Sequence, residues 1–245
     1  MKRLMDILLA LIGLLLSAPV VLVFMLLVWR QDGHSPFYRG ERIGLQGRVF
    51  RMTKLRTMIH NAHQSGVDST STSDRRITPV GERIRRFKLD ELTQLWHVLI
   101  GEMSLVGPRP NVAADVALYT NRERDLLSVL PGITDLASIV FADEGDILRH
   151  SQDPDLDYNR LIRPWKSRLG LLYVQNRSTW LDIQIIWLTI RALINRPSAL
   201  NRLARCVRRL GGSESLCQVV CRVDPLTPHP PPGSDVIVTS RRIND

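Results

Sequence analysis

The chain has 245 residues, the size of one ordinary domain with a small appendage. Hydrophobic residues make up 44% and can bury a core; charged residues, at 23%, are too many for a polytopic bundle of lipid-facing helices. Thirty-three Lys and Arg against 24 Asp and Glu leave a formal charge of +9, which suits an anionic partner: nucleic acid, an anionic membrane surface or a phosphorylated substrate.

The first element is apolar. Ile7 to Val28 is 22 residues without a charge. A straight helix of that length reaches roughly 33 Å, enough to cross a hydrocarbon core. It is too long for the apolar part of a signal peptide, and no small-x-small cleavage site follows. Two features favour a helix hairpin that enters the membrane and returns over a spanning helix. Pro19 cannot donate to the Leu15 carbonyl and kinks the helix, and the Ser17 hydroxyl can satisfy a freed carbonyl. Basic residues also flank both ends, Lys2 and Arg3 before the run and Arg30, Arg39, Arg42 and Arg48 after it. Such symmetry does not orient a spanning helix.

Beyond it, residues 36–58 read as a small β-hairpin, with Gly40, Gly44 and Gly47 in its loop. Residues 61–76 are polar and read as an exposed loop. Thr78-Pro79 starts a helix carrying Arg83, Arg85 and Arg86. The spacing predicts an amphipathic helix over Asp90 to Ile100, with Leu92, Leu95, Trp96 and Leu99 as its apolar stripe; Asp90, Gln94 and His97 lie on another face, and Gly101 ends it. Gly107-Pro108-Arg109-Pro110 is a rigid turn. A short helix over Asn121 to Leu130 stops at Pro131-Gly132. Tyr158 to Gln175 and Trp180 to Asn195 are two further helices, the second apolar around most of its circumference and suited to the core or to a membrane interface. After Arg196 the chain turns basic and then Pro-rich, and is expected to be a poorly ordered tail. Three cysteines, all in the last 40 residues, give neither a disulfide framework nor a zinc site and read as free thiols. The expected fold is mainly α with a small β-hairpin (α+β), in three parts: a membrane segment (1–30), a catalytic domain at the interface (31–195) and a tail (196–245).

Asp90-Glu91 is an adjacent acid pair at a helix start, a place where acids are common for reasons of the helix dipole alone. Its surroundings single it out. Arg83, Arg85, Arg86 and Lys88 lie just upstream, and Arg109 sits in the Pro-locked turn downstream. Cations keep carboxylates ionised and offer donors to phosphate oxygens. A carboxylate, a metal ion and several arginines are what phosphoryl transfer requires. Lys54 and Arg56 form a second basic site. Other groups fail the same weighing. His60 and His63 have no acidic ligand close by and read as a solvent-exposed pair. Asp143-Glu144-x-Asp146 lacks the spacing of a calcium loop. No standard nucleotide-binding fingerprint and no nucleic-acid-binding motif is present, so nucleic acid is not an expected partner.

These residues resemble the bacterial sugar transferase family, the monotopic polyprenol-phosphate phosphoglycosyl transferases. The likeness runs from Lys2 to about Asn195. Lys2-Arg3-Leu4-Met5-Asp6 resembles the family's opening, and Ser17-Ala18-Pro19 its Ser-Pro helix break. Phe50 to Met58 is similar to F-x-x-x-K-[FL]-R-T-M. Arg85 to Leu99 is similar to R-x-x-S-L-D-E-L-P-Q-L-x-N-V-L. Gly101 to Pro110 matches G-[DE]-M-S-x-V-G-P-R-P almost letter for letter. The resemblance implies a UDP-sugar as donor, undecaprenyl phosphate as acceptor, Asp90 as nucleophile, Glu91 completing an acid dyad with Mg2+, and phosphate binding by Arg85 and Arg109. It also implies a re-entrant helix broken at Ser17 and Pro19, contact with membrane lipids, and a place on the cytoplasmic face of the bacterial inner membrane. Whether the chain forms a homodimer stays open. Lys88, His97, Asp135 and Ser138 depart from the family's pattern, and Asp135 is expected to touch the sugar or nucleotide. With no large membrane block before Met1, the chain looks like a minimal catalytic domain. The competing expectation is an inactive relative serving as a membrane-bound scaffold or regulator.

Overall fold

A computed structural model describes residues 1–62 and 74–240. The apolar run forms α1 (Lys2–Asp32), ended by Gly33 in the left-handed conformation. It is one helix, uninterrupted across Pro19, where two helices broken at Ser17 and Pro19 were expected; the Ser17 hydroxyl donates to the Leu14 carbonyl at 3.4 Å. By length and composition α1 could cross a membrane. Yet one stripe of it lies against the rest of the chain. Ala10 packs with Phe50, Met52, Val98 and Met103, and Val28 packs with Leu55 and Ile84.

Polar clamps hold both ends of α1. Near its start, Lys2 pairs with Asp182 at 2.7 Å, Arg3 donates to the carbonyls of Val98 and Leu99, and buried Asp6 accepts from Ser104 and the Leu105 amide. At its end, Asp32 accepts a two-pronged pair from Arg56 at 2.6 and 2.7 Å.

β1 (Phe37–Ile43) and β2 (Val49–Leu55) form the expected antiparallel hairpin. Gly40 lies inside β1, opposite Met52, rather than in the loop. The polar stretch expected as a loop falls largely on residues 63–73, His63 included, which lie outside the described residues. Thr78 caps α2 (Pro79–Arg86) by accepting from the Gly81 amide.

The helix expected from Asp90 to Ile100 is two elements. Leu89–Glu91 is a single 3-10 turn, entered through Lys88 at φ 53°, and α3 (Gln94–Ile100) follows it. Leu95 and Leu99 of the expected stripe pack on the core, but part of the polar face does too. Gln94, His97 and Val98 are buried, while Trp96 is 56% exposed. The reason lies in hydrogen bonding. His97 Nε2 accepts from the Thr53 amide at 2.9 Å and its Nδ1 lies 2.6 Å from Glu102 Oε2, so the ring is the Nδ1–H tautomer and satisfies a β2 donor that the hairpin leaves unpaired.

β3 (Ser104–Val106) pairs in parallel with β4 (Gly132–Thr134). Between them, Gly107 and Gly132 touch backbone to backbone. A Cβ on Gly132 would sit 2.1 Å from the Gly107 nitrogen, so neither position tolerates a side chain. This contact fixes the turn that carries Arg109.

Three short helices, α4 (Ala113–Ala117), α6 (Glu144–Ile147) and α7 (Pro154–Asp157), link the longer ones, and the core is built from α5 (Leu136–Val140), α8 (Arg163–Asn176) and α9 (Thr179–Ile194). α9 buries Leu181, Asp182, Ile185 and Leu188 and exposes Trp180, Ile183, Trp187, Ile190 and Leu193. It packs into the core along one side and leaves an apolar face exposed along the other. The tail needs correction. Residues 196–209 and 214–221 form α10 (Arg196–Arg209) and α11 (Glu214–Cys221), and Leu200, Leu203, Val207, Leu216 and Val220 enter the main core. The many arginines mask an amphipathic pattern whose apolar stripe is sufficient for burial. Asp143 draws the tail in by accepting from Arg196 and Arg222. The Pro-rich stretch lies on the protein too: His229 stacks on Trp165 and Arg168 donates to the Pro230 carbonyl. The three cysteines are free thiols, as expected.

Candidate active site

The Leu89–Glu91 turn is held from below by apolar packing and from above by cations. Leu89 packs against Val28, Leu55 and Ile84, so α1 and β2 together seat the turn. Thr93 ties it to β2 by donating to the Thr53 carbonyl at 2.9 Å and the Asp90 carbonyl at 3.1 Å. Lys88, in a left-handed conformation that costs a non-glycine residue about 1–2 kcal/mol, turns the chain so that two consecutive carboxylates face the basic cluster.

The two acids are treated differently. Glu91 is gripped fork to fork by Arg109, with Nη2 to Oε1 at 2.9 Å and Nη1 to Oε2 at 3.1 Å. Arg109 is itself braced by the Ile133 carbonyl at 3.1 Å. Among the described residues Asp90's carboxylate accepts no hydrogen bond, and Lys54 Nζ stands 4.0 Å away. The titration behaviour separates accordingly. Burial pushes the Asp90 carboxyl up, and the Lys54 ammonium offsets only part of that. Burial also opposes ionisation of Glu91, but the charges of Arg109 and Lys54 outweigh it and hold that carboxyl at about 2. Glu91 is thus a fixed anion in a closed pair. Asp90 is an uncommitted carboxylate. Neighbouring acids driven apart in this way mark a division of chemical labour.

Of the other candidates, Lys54 and Arg85 join the cluster. Arg85 Nε donates to Thr57 Oγ1 at 2.9 Å, and its charge acts on Asp90. Arg56 does not join it. Its guanidinium is occupied by Asp32 and the Ser35 carbonyl, so it anchors the end of α1. Asp135 lies within electrostatic reach of Arg109 but caps α5: its Oδ1 accepts from the Ser138 amide while Ser138 Oγ accepts from the Asp135 amide. One reciprocal cap thus accounts for both residues that depart from the family's pattern there. His60 stacks on His34, with ring centroids 4.0 Å apart. Glu144 pairs with Lys166, and Asp146 with Arg149. The clamps at Lys2, Asp6 and Asp182 went unnoticed in the sequence because each joins residues about a hundred or more positions apart.

Among the described residues no three His, Cys, Asp or Glu side chains gather as a metal cage. The pair at 90 and 91 still suits Mg2+, which commonly takes one or two carboxylates and completes its shell with substrate phosphates and water. Each carboxylate oxygen keeps a lone pair beyond the contacts described.

The sequence profile of the bacterial sugar transferase family matches residues 1–196, a span that holds α1, the acid pair and Arg109. The chain belongs to this family. It is 34% identical to the UDP-galactose-lipid carrier transferase of Erwinia amylovora over 216 residues, covering 81% of this chain and 41% of that protein. It is 33% identical to the UDP-glucose:undecaprenyl-phosphate glucose-1-phosphate transferase of Klebsiella pneumoniae, covering 80% and 41%. The exopolysaccharide production protein ExoY of Sinorhizobium fredii is 34% identical, with 78% of this chain and 84% of that protein covered. The chain spans about two fifths of the length of the first two relatives. The family match ends at residue 196, the head of α10.

Proposed function

We propose that the chain transfers a sugar 1-phosphate from a UDP-sugar to a polyprenyl phosphate, undecaprenyl phosphate in bacteria. The observation that carries this is the unequal acid pair, with Asp90 held only by the 4.0 Å ion pair to Lys54 and Glu91 closed by Arg109. Asp90 attacks the sugar-proximal phosphorus of the donor, the bond to the second phosphate breaks, and UMP leaves. The lipid phosphate oxygen then attacks the same phosphorus and releases the Asp90 carboxylate, giving a polyprenyl diphosphosugar. Lys54, Arg85 and the unused N–H groups of Arg109 orient phosphate oxygens; Glu91 holds Arg109 in place. Mg2+, bound through the two carboxylates, would neutralise charge on the diphosphate. The names of the Klebsiella and Erwinia relatives support the substrate classes. Release of UMP from a panel of UDP-sugars, with Mg2+ and undecaprenyl phosphate, tests the reading; no release with any donor leaves the inactive scaffold in its place.

The same reading places α1 in the membrane with both ends on one side, at the cytoplasmic face where a UDP-sugar is available. Both ends of α1 are clamped to one folded body, by Asp182 and by Arg56, which a spanning helix would have to tear apart. Leu8, Ile12, Leu15, Leu16, Val23 and Leu26 on the opposite face are left for lipid. In a background with Cys206, Cys217 and Cys221 replaced by alanine, single cysteines at Met1 and His34 should react with a membrane-impermeant thiol reagent from the same side. Labelling from opposite sides would rule out this topology.

The acid pair also fixes a pH dependence. Only ionised Asp90 attacks, and burial raises its pKa. In the metal-free chain the Asp90 carboxyl, followed by NMR, should therefore titrate above the usual carboxylate range. Glu91, at about 2, adds no step there. Because Lys54 lowers the Asp90 pKa, Lys54→Met should move that titration to higher pH. A titration that stays in place or moves down contradicts this assignment.

A further inference from the structure

The face of the β1–β2 hairpin beside Asp90 carries a group that the transfer chemistry leaves unused. Alternate strand residues share a face, and the register sets Tyr38 opposite Lys54, Gly40 opposite Met52 and Arg42 opposite Phe50. Tyr38, Gly40, Arg42 and Lys54 therefore look the same way, and Lys54 reaches Asp90 at 4.0 Å. Gly40 is the floor of this face. A Cβ there would lie 2.9 Å from the Tyr38 ring edge and hydroxyl and 3.1 Å from Arg42 Nη1, so ring and guanidinium converge over the glycine from its two sides. The Arg42 charge is felt at Lys54, which puts the two cations within electrostatic reach of one another. Tyr38 is 40% exposed, a rigid aromatic surface open to a ligand between two cations, of which Lys54 reaches the nucleophile.

The geometry points to Tyr38 as the stacking platform for the pyrimidine base of the donor nucleotide, with Gly40 as the floor that lets the ring lie flat and Lys54, directly across the strand pair, beside the nucleoside-side phosphate. The inference rests on the transferase reading and adds where the leaving nucleotide sits. A nucleotide sugar attacked at its sugar-proximal phosphorus extends away from Asp90 in the order second phosphate, ribose, base. Lys54 at the nucleophile and Tyr38 directly across the strand pair offer a cation and then an aromatic surface, with Arg42 on the far side of the ring. Aromatic stacking holds a base through its π-face and needs no hydrogen-bond code, which fits the absence of a nucleotide fingerprint from the sequence.

The test uses UMP as the probe, because it carries base and phosphate but no sugar. Titration of the purified full chain with UMP, followed calorimetrically, should show Tyr38→Ala weakening binding about tenfold or more. Tyr38→Phe should restore most of the affinity, since the ring does the work. Gly40→Ala should weaken binding like Tyr38→Ala, with a thermal unfolding midpoint near that of the parent. UMP affinity within twofold of the parent in Tyr38→Ala overturns the inference. So does an effect confined to the KM for undecaprenyl phosphate, which would assign the ring to the lipid. A parent chain that neither binds UMP nor releases it from any UDP-sugar overturns the transferase reading, and this inference with it.

Discussion

Asp90→Asn is expected to abolish UMP release, by on the order of 10³-fold or more, while leaving the fold in place. Asparagine keeps the shape of the side chain and removes the anion that forms the bond to phosphorus. Asp90's carboxylate accepts no described hydrogen bond, so the amide gives up only the 4.0 Å ion pair with Lys54, and the thermal midpoint should stay near that of the parent. Glu91→Gln should also impair turnover, through a different route: it loosens the two-pronged grip on Arg109 and shifts the phosphate donors. The two variants are separated by mass spectrometry with lipid acceptor withheld. The parent should carry one phosphosugar on the peptide containing Asp90. Asp90→Asn should carry none, and Glu91→Gln should accumulate it slowly. Normal turnover by Asp90→Asn, or an adduct mapped to another residue, removes Asp90 as the nucleophile.

The largest stability effect is expected away from the acid pair, at Glu123. This carboxylate is fully buried and accepts from Arg163 Nη1 at 3.1 and 3.2 Å, from Ser167 Oγ at 2.6 Å and from the Thr120 amide at 3.0 Å. It ties α8 to the segment following Tyr119, behind the turn that carries Arg109. Glu123→Gln keeps the volume and strands the Arg163 guanidinium in the interior without a counter-charge. Breaking a buried pair from one side costs about 3–5 kcal/mol. For a chain of this size, that lowers the thermal midpoint by about 10 °C. Removing both charges with Glu123→Gln/Arg163→Met should cost less than the sum of the single changes, because no unpaired charge remains. A Glu123→Gln midpoint within 2 °C of the parent, read by thermal unfolding in the same detergent, would show that the pair does not stabilise the fold.

The local features of this protein were legible in its residues. The long apolar run gives α1, Thr78-Pro79 opens α2, Gly101 closes α3, and the strands around Gly44 and Gly47 pair as a hairpin, since each depends on neighbours in the chain. The acid pair and its basic company stood out for the same reason. Arg56 and Asp135 carry the residue types of a phosphate or sugar site, yet distant or local partners occupy them, Asp32 in one case and the Ser138 cap in the other. The spacing of α3 separates its apolar stripe from its polar residues, but only packing shows that His97 is inside because a β2 amide needs an acceptor. The α10–α11 segment looked like a charged tail because composition counts arginines and does not show which side of a helix they occupy.

What the sequence determined by itself is α1, the hairpin, α2 and the residue types gathered around the acid pair, because each resides in a short stretch of neighbouring residues. What the tertiary structure alone decided is how the two acids differ and where α1 is tied. Asp90 and Glu91 are adjacent in the chain, and nothing local distinguishes them. The difference comes from Arg109, 18 residues on, closing over one carboxylate while Lys54, from the other side, stops at 4.0 Å from its neighbour. Long-range ion pairs of this kind depend on where separate elements dock, and that information is spread over the whole core.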